Sequence, residues 1–91
     1  MGLTRKRLVV EGRVQGVGYR WFAVEAAQSC RVTGWVRNNA DGTVEAEAQG
    51  PDAAVAAFVS ALRRGPSLSR VDAVRERALA VRADETDFEV R

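Results

Sequence analysis

Apolar residues fall along this chain in two rhythms. Leu8, Val9 and Val10 form a short run that stops at Gly12, which predicts a first strand. From Arg20 to about Arg31, Phe22, Ala23, Ala26, Ala27 and Cys30 recur at steps of three and four, the spacing of one helix face. Gly34 punctuates that helix. Trp35 to Asn38 and Thr43 to Ala48 then predict two strands around Asn39-Ala40-Asp41-Gly42, where Asp-Gly is a strong hairpin signal. Gly50-Pro51-Asp52 opens a second helix with Val55, Phe58, Val59 and Leu62 as its apolar stripe. Arg63-Arg64-Gly65-Pro66 ends it with basic residues, a C-cap glycine and a stop. Pro66 to Arg70 is loop. Val71 to about Val81 predicts a fourth strand, irregular at its start, and Asp87 to Val90 a short final piece.

The order is strand, helix, strand, strand, helix, strand. It predicts a ferredoxin-like βαββαβ α/β sandwich, an antiparallel sheet with both helices on one face. There is no repeat, linker or low-complexity segment, and 91 residues leave no room for a second core, so residues 1–91 are expected to form one domain. A chain of this size buries somewhat over 60% of its unfolded surface and needs no staple. The fold hosts many unrelated activities, so function has to come from particular residues.

Composition narrows the classes. Hydrophobic content of 46% and charged content of 29% are those of an ordinary soluble domain. A single cysteine, Cys30, excludes an internal disulfide and a thiolate metal cluster. No apolar run approaches membrane-spanning length and no apolar segment follows the N-terminal charges, so the expectation is a cytoplasmic protein with no membrane partner. The net charge of +2 hides an asymmetry: only two acidic residues, Glu11 and Glu25, precede Ala40. That half is electropositive, which favours an anionic ligand by steering. Arg5-Lys6-Arg7 reads as a solvated strand start rather than a nucleic-acid patch.

Within that half, Gly12-Arg13-Val14-Gln15-Gly16-Val17-Gly18-Tyr19-Arg20 joins the first strand to the first helix. The first turn of a helix leaves N–H groups without intrahelical partners, and its dipole adds partial positive charge. Gly16 and Gly18 permit positive φ, so successive N–H groups can curl into a nest for phosphate or carboxylate. A cation in that turn, Arg20, opposes the dipole by roughly 0.3–1 kcal/mol. No Asp or Glu between Gly12 and Val24 offsets it. An anion held between nest and guanidinium would remove the conflict, since Arg forks onto phosphate oxygens. On spacing alone, a Gly-rich turn followed by a surface arginine reads as well. A Walker loop would need Gly-Lys-Ser/Thr, and a dinucleotide fingerprint would need glycine where Trp21 stands.

The rest of the chain offers little other chemistry. It has no histidine, Cys30 lies a helix's length from the loop, and Ser29 has no visible base. Covalent catalysis and a Ser/His or Cys/His relay are therefore not expected. No carboxylate pair is placed for acid–base work. What remains is the nest, Arg20 and the amide of Asn38, which reads otherwise as a turn residue before a hairpin. Such a set suits water attacking a phosphoryl group whose leaving group needs no proton. A carboxylate, with a pKa near about 4.3, leaves as an anion unaided. An amide both donates to and accepts from water, so it can orient one. Tyr19 and Trp35 read as core side chains, Tyr19 with a polar tip.

Two runs carry a resemblance. Val10-x-Gly12-x-Val14-Gln15-Gly16-Val17-x-Tyr19-Arg20 is similar to the first signature of the acylphosphatases. Gly34-Trp35-Val36-Arg37-Asn38-x-x-x-Gly42-x-Val44-x-x-x-x-x-Gly50 resembles their second, with the same order and separation. The resemblance implies the ferredoxin-like fold and hydrolysis of acyl phosphates, with inorganic phosphate as product and inhibitor. It implies that Arg20 binds phosphate, that Asn38 orients the water, and that the N–H groups of Gln15, Gly16, Val17, Gly18 and Tyr19 cradle the phosphoryl group. It implies no metal and no cofactor. A monomer is expected.

Two rival readings come from other classes. RNA-binding modules share the fold order, and a pI of about 9.3 is compatible with one. They display stacking aromatics on a sheet strand, whereas Thr43 to Ala48 has none, so no nucleic-acid partner is expected. The signatures also resemble the N-terminal domain of larger maturation factors, which leaves a non-catalytic or fused copy as the alternative; the length argues against fusion.

Overall fold

Alternation along β1 (Leu3–Arg13) decides which side of the sheet is covered. Leu8 and Val10 are fully buried under the helices, while Arg5, Arg7 and Val9 take the opposite face. The structure is a computed structural model and describes residues 2–91. After β1 come α1 (Tyr19–Cys30), β2 (Thr33–Asn38), β3 (Val44–Pro51), α2 (Asp52–Arg64), β4 (Arg70–Leu79) and β5 (Phe88–Val90). The sheet order is β4-β1-β3-β2-β5.

Four strands are antiparallel, as the element order predicts. β5 is the departure, since it runs parallel to β2 and makes the sheet mixed. The reason is where residues 80–87 go. They leave β4 at one edge, cross the helix-free face and enter β5 at the other edge from the same end. β5 must then oppose β4, which also opposes β2's direction. As a result β1, β2 and β5 all run toward one end of the sheet. That end also carries the N-terminus of α1.

The core lies between sheet and helices. Val55, Phe58, Val59 and Leu62 of α2 meet Leu8, Val10, Val36, Val44 and Val74 there. Each large side chain fully buried contributes about 1.5–3 kcal/mol. α1 offers mostly Ala23 and Ala27, so it packs close to the sheet. Its end differs from expectation. Arg31, not Gly34, takes the left-handed conformation (φ 60), and the N–H groups of Arg31 and Val32 donate to Gln28 and Ala27 carbonyls. Gly34 lies inside β2, where a Cβ would come within 1.8 Å of the Glu47 carbonyl oxygen.

Two residues on the helix-free face bear on the sequence reading, and Arg5 corrects it. Arg5 is not solvated: it is 2% exposed, with ion pairs to Glu47 at 2.8 Å and Glu85 at 2.7 Å. Trp35 is buried, but outside the helix-side core. The guanidiniums of Arg37 and Arg91 each lie 5.1 Å from its ring centroid, which is cation–π cover. The burial of Arg5 has its cause in the segment after β4. Residues 80–87 roof that face, and Gln49 pairs its carboxamide with both the N–H and the carbonyl of Arg82 at 2.8 Å. A roofed face can bury charge, because Glu85 arrives with the roof.

Candidate active site

β1 ends at Arg13, and the chain turns through residues 14–18 into α1. Gly16 (φ 74) and Gly18 (φ 79) hold that turn in the left-handed region. A Cβ on either would meet no heavy atom within 4 Å, so their glycines serve backbone conformation and the space beside the loop is open. Among the described residues, no protein group accepts a hydrogen bond from the N–H groups of Gln15 through Tyr19. The first helical bond nearby runs from Phe22 N–H to the Gly18 carbonyl, at 3.0 Å.

The start of α1 lacks the usual devices. Gly18 at the N-cap offers no side-chain hydrogen bond, and the first turn holds no acid. By contrast α2 carries Asp52 in its first turn and Arg63 and Arg64 in its last, both matched to the dipole. Arg20 stands in the first turn of α1, exposed, and none of the ion pairs among the described residues includes it. The positive end of α1 thus faces open space with a further cation and free N–H groups. Electrostatically that arrangement favours an anion.

Asn38 closes β2 at the same end of the sheet. The two-residue period puts it on the side of Val36, toward α1, while Trp35 and Arg37 project to the other face. Its side chain is half-buried and forms no hydrogen bond within the described protein, which leaves its amide for water. A cavity of about 320 Å³ is lined by Val14, Gly16, Gly18, Tyr19, Arg20, Trp21, Asn38 and Val90. Arg20 and Asn38, eighteen positions apart in sequence, therefore share one cavity with the glycines of the loop.

Not every expected residue reaches it by its side chain. Val17 packs against the core. Tyr19 is 2% exposed and its hydroxyl donates to the Leu62 carbonyl at 2.7 Å, as a core side chain with a polar tip should. Burial raises its phenol above the ordinary value. Gln15 turns away from the cavity: its Nε2 donates to the carbonyl oxygens of Asn39 at 2.7 Å and Thr43 at 2.9 Å. Sequence reasoning assigned Gln15 only its backbone N–H, and missed Trp21 and Val90 altogether. Trp21 left a signal, an indole beside Arg20 outside the apolar helix stripe. Val90 left none, since it arrives through β5.

A family profile described as Acylphosphatase matches residues 6–90. An acylphosphatase of Geobacillus thermodenitrificans is 43% identical over 88 residues, covering 97% of this chain and 94% of that protein. One of Moorella thermoacetica is 41% identical, across 100% of this chain and 97% of its own. The crystal structure of acylphosphatase from Bacillus subtilis superposes with a TM-score of 0.93 at 35% identity, covering 97% of this chain and 98% of that one. The chain belongs to the acylphosphatase family.

Proposed function

We propose, from that membership and from the site, that this protein hydrolyses the carboxyl–phosphate bond of acyl phosphates to a carboxylate and inorganic phosphate. One observation carries the reading: the uncapped, acid-free start of α1 shares a cavity with Arg20 and Asn38. The N–H groups of Gln15 through Tyr19 and the Arg20 guanidinium hold the phosphoryl oxygens. Charge spreads over those oxygens in the transition state, so fixed donors there lower the barrier. The Asn38 amide accepts from one water and aims its oxygen at phosphorus, opposite the leaving group.

The P–O bond to the acyl group breaks, and its electron pair leaves on the carboxylate. That leaving group, with a pKa of about 4, needs no proton from the protein. The lining fits this economy. It contains no carboxylate, imidazole or thiolate, and the Tyr19 hydroxyl is engaged with Leu62. Phosphate esters, whose alkoxides leave poorly, lie beyond such a site. Apart from the Asn38 amide oxygen, the side chains of that lining hold no ligand for a cation, and the reaction is read as metal-independent.

The test is release of carboxylate and phosphate from acetyl phosphate in the presence of a chelator, with inorganic phosphate as a competitive inhibitor. No turnover above the uncatalysed rate overturns the reading.

A further inference from the structure

The cavity holds more than a phosphoryl site requires. Its lining also includes Trp21 from the first turn of α1, Val90 from β5, and Val14. Trp21 is 67% exposed and Val90 48% exposed. The other large hydrophobics left at the surface, Leu3, Leu68 and Val81, lie away from this cavity and singly. Isolated exposed apolar residues need no explanation, but two that line one cavity with Arg20 and the loop glycines offer a surface on which something apolar can sit. Helix propensity does not ask for tryptophan at that place.

The polar groups of the cavity set what that something is. Arg20 is the lining's only charged side chain, and the phosphoryl group engages it. Asn38 serves the water and the Tyr19 hydroxyl serves Leu62. A second carboxylate or a hydroxyl on the acyl group would gain no protein partner there and would give up part of its hydration against the indole, which is unfavourable. An uncharged apolar acyl group loses nothing. A flat one can lie against the indole face, where aromatic pairs gain beyond area alone.

We infer that Trp21 and Val90 form the acyl-group subsite of this cavity, and that Trp21 selects acyl phosphates with an uncharged, apolar and preferably aromatic acyl group. The inference rests on the acyl phosphate reading above. Trp21 is a specificity residue here, acting on the part of the substrate that does not react.

The experiment compares kcat/KM for benzoyl phosphate and acetyl phosphate in the unaltered protein, Trp21→Ala and Trp21→Phe. The unaltered protein favours benzoyl phosphate, and Trp21→Ala lowers the benzoyl-to-acetyl ratio about tenfold. Trp21→Phe retains most of the preference. Inhibition by inorganic phosphate, which has no acyl group, stays within about twofold in both variants and reports an intact cradle. A ratio unmoved by Trp21→Ala overturns the subsite, as do equal losses on the two substrates. If acetyl phosphate is turned over in either case, the hydrolase reading stands while the subsite falls. If the unaltered protein turns over neither substrate, both fall.

Discussion

Gln15 and Asn39 join the two halves of the site. The Gln15 carboxamide donates to the Asn39 carbonyl at 2.7 Å and to the Thr43 carbonyl at 2.9 Å, on either side of the turn that follows Asn38. The loop that offers N–H groups is thereby tied to the hairpin that offers the amide. The same two carbonyls also accept from Gly42 and Asn39 N–H groups, so the turn forms without Gln15. What Gln15 adds is its distance from the loop.

Gln15→Leu keeps the backbone N–H and removes the tie. Because misplacing a reacting group by about 1 Å can lower a rate about a hundredfold, kcat for acyl phosphate hydrolysis should fall tenfold to a hundredfold, at about 1–2 kcal/mol of stability. If Gln15 acts through Asn38, the change added to an Asn38→Ala protein should alter kcat by less than about twofold. Losses that add in full in the double variant would mean that Gln15 acts elsewhere.

Arg20→Lys keeps the charge and loses the planar fork. Phosphate inhibition and kcat/KM should weaken together by about 2–4 kcal/mol, taking about 1.5–3 per charge-assisted bond with incomplete additivity. Thermal stability should stay level or rise, as Arg20 opposes the dipole of α1 and takes part in none of the ion pairs among the described residues. Near-normal phosphate affinity in the variant would make Arg20 an ordinary surface residue.

Asn38→Ala should show the complementary signature. A group that orients water without holding substrate lowers kcat and kcat/KM together, and leaves phosphate affinity close to normal. The loss should be on the order of a hundredfold. Asn38→Asp should be as damaging despite its shape, because it turns a negative charge toward the phosphoryl group. Circular dichroism confirms the fold, since Asn38 borders the turn. An unchanged kcat with a raised KM would make Asn38 a binding residue instead.

Stability in acid should trace to the roofed face of the sheet. Burial alone would raise the Glu85 carboxyl, but hydrogen bonds led by that of Arg5 outweigh it and hold it below the ordinary 4.5. A carboxyl lowered in the folded state stabilises the fold above its ordinary value, and that contribution disappears as pH falls through the lowered one. Arg5→Leu should therefore destabilise the fold at pH 7, by less than the roughly 3–5 kcal/mol of a fully buried pair, because the Glu47 and Glu85 side chains keep 20% and 10% exposure. In urea titrations the gap between the two proteins should narrow as pH drops below about 4.5. A gap that stays constant with pH would make the loss one of packing.

Much of this was legible in the sequence wherever neighbours along the chain decide the outcome. The glycines of the loop, the absence of acids near Arg20, the alternation that turns Asn38 toward α1 and the Asp41-Gly42 turn are local facts. Local dihedral preference and hydrophobic period suffice for them, and so the glycine turn, both helices and the hairpin could be read directly, while the use of that turn as a phosphate cradle came only as what the family resemblance implies. The tertiary structure alone decided the rest. Arg5 looked solvated because its partners, Glu47 and Glu85, lie 42 and 80 positions away. Trp35 is buried as expected, but period and hydrophobicity cannot say that arginines will cover its face of the strand. β5 runs parallel to β2 because residues 80–87 cross the sheet, and only that crossing brings Val90 into the same cavity lining as Trp21. Periodicity describes which face of an element is apolar. It carries no term for which distant segment will satisfy a charge or complete a wall, and those are set by strand order and register.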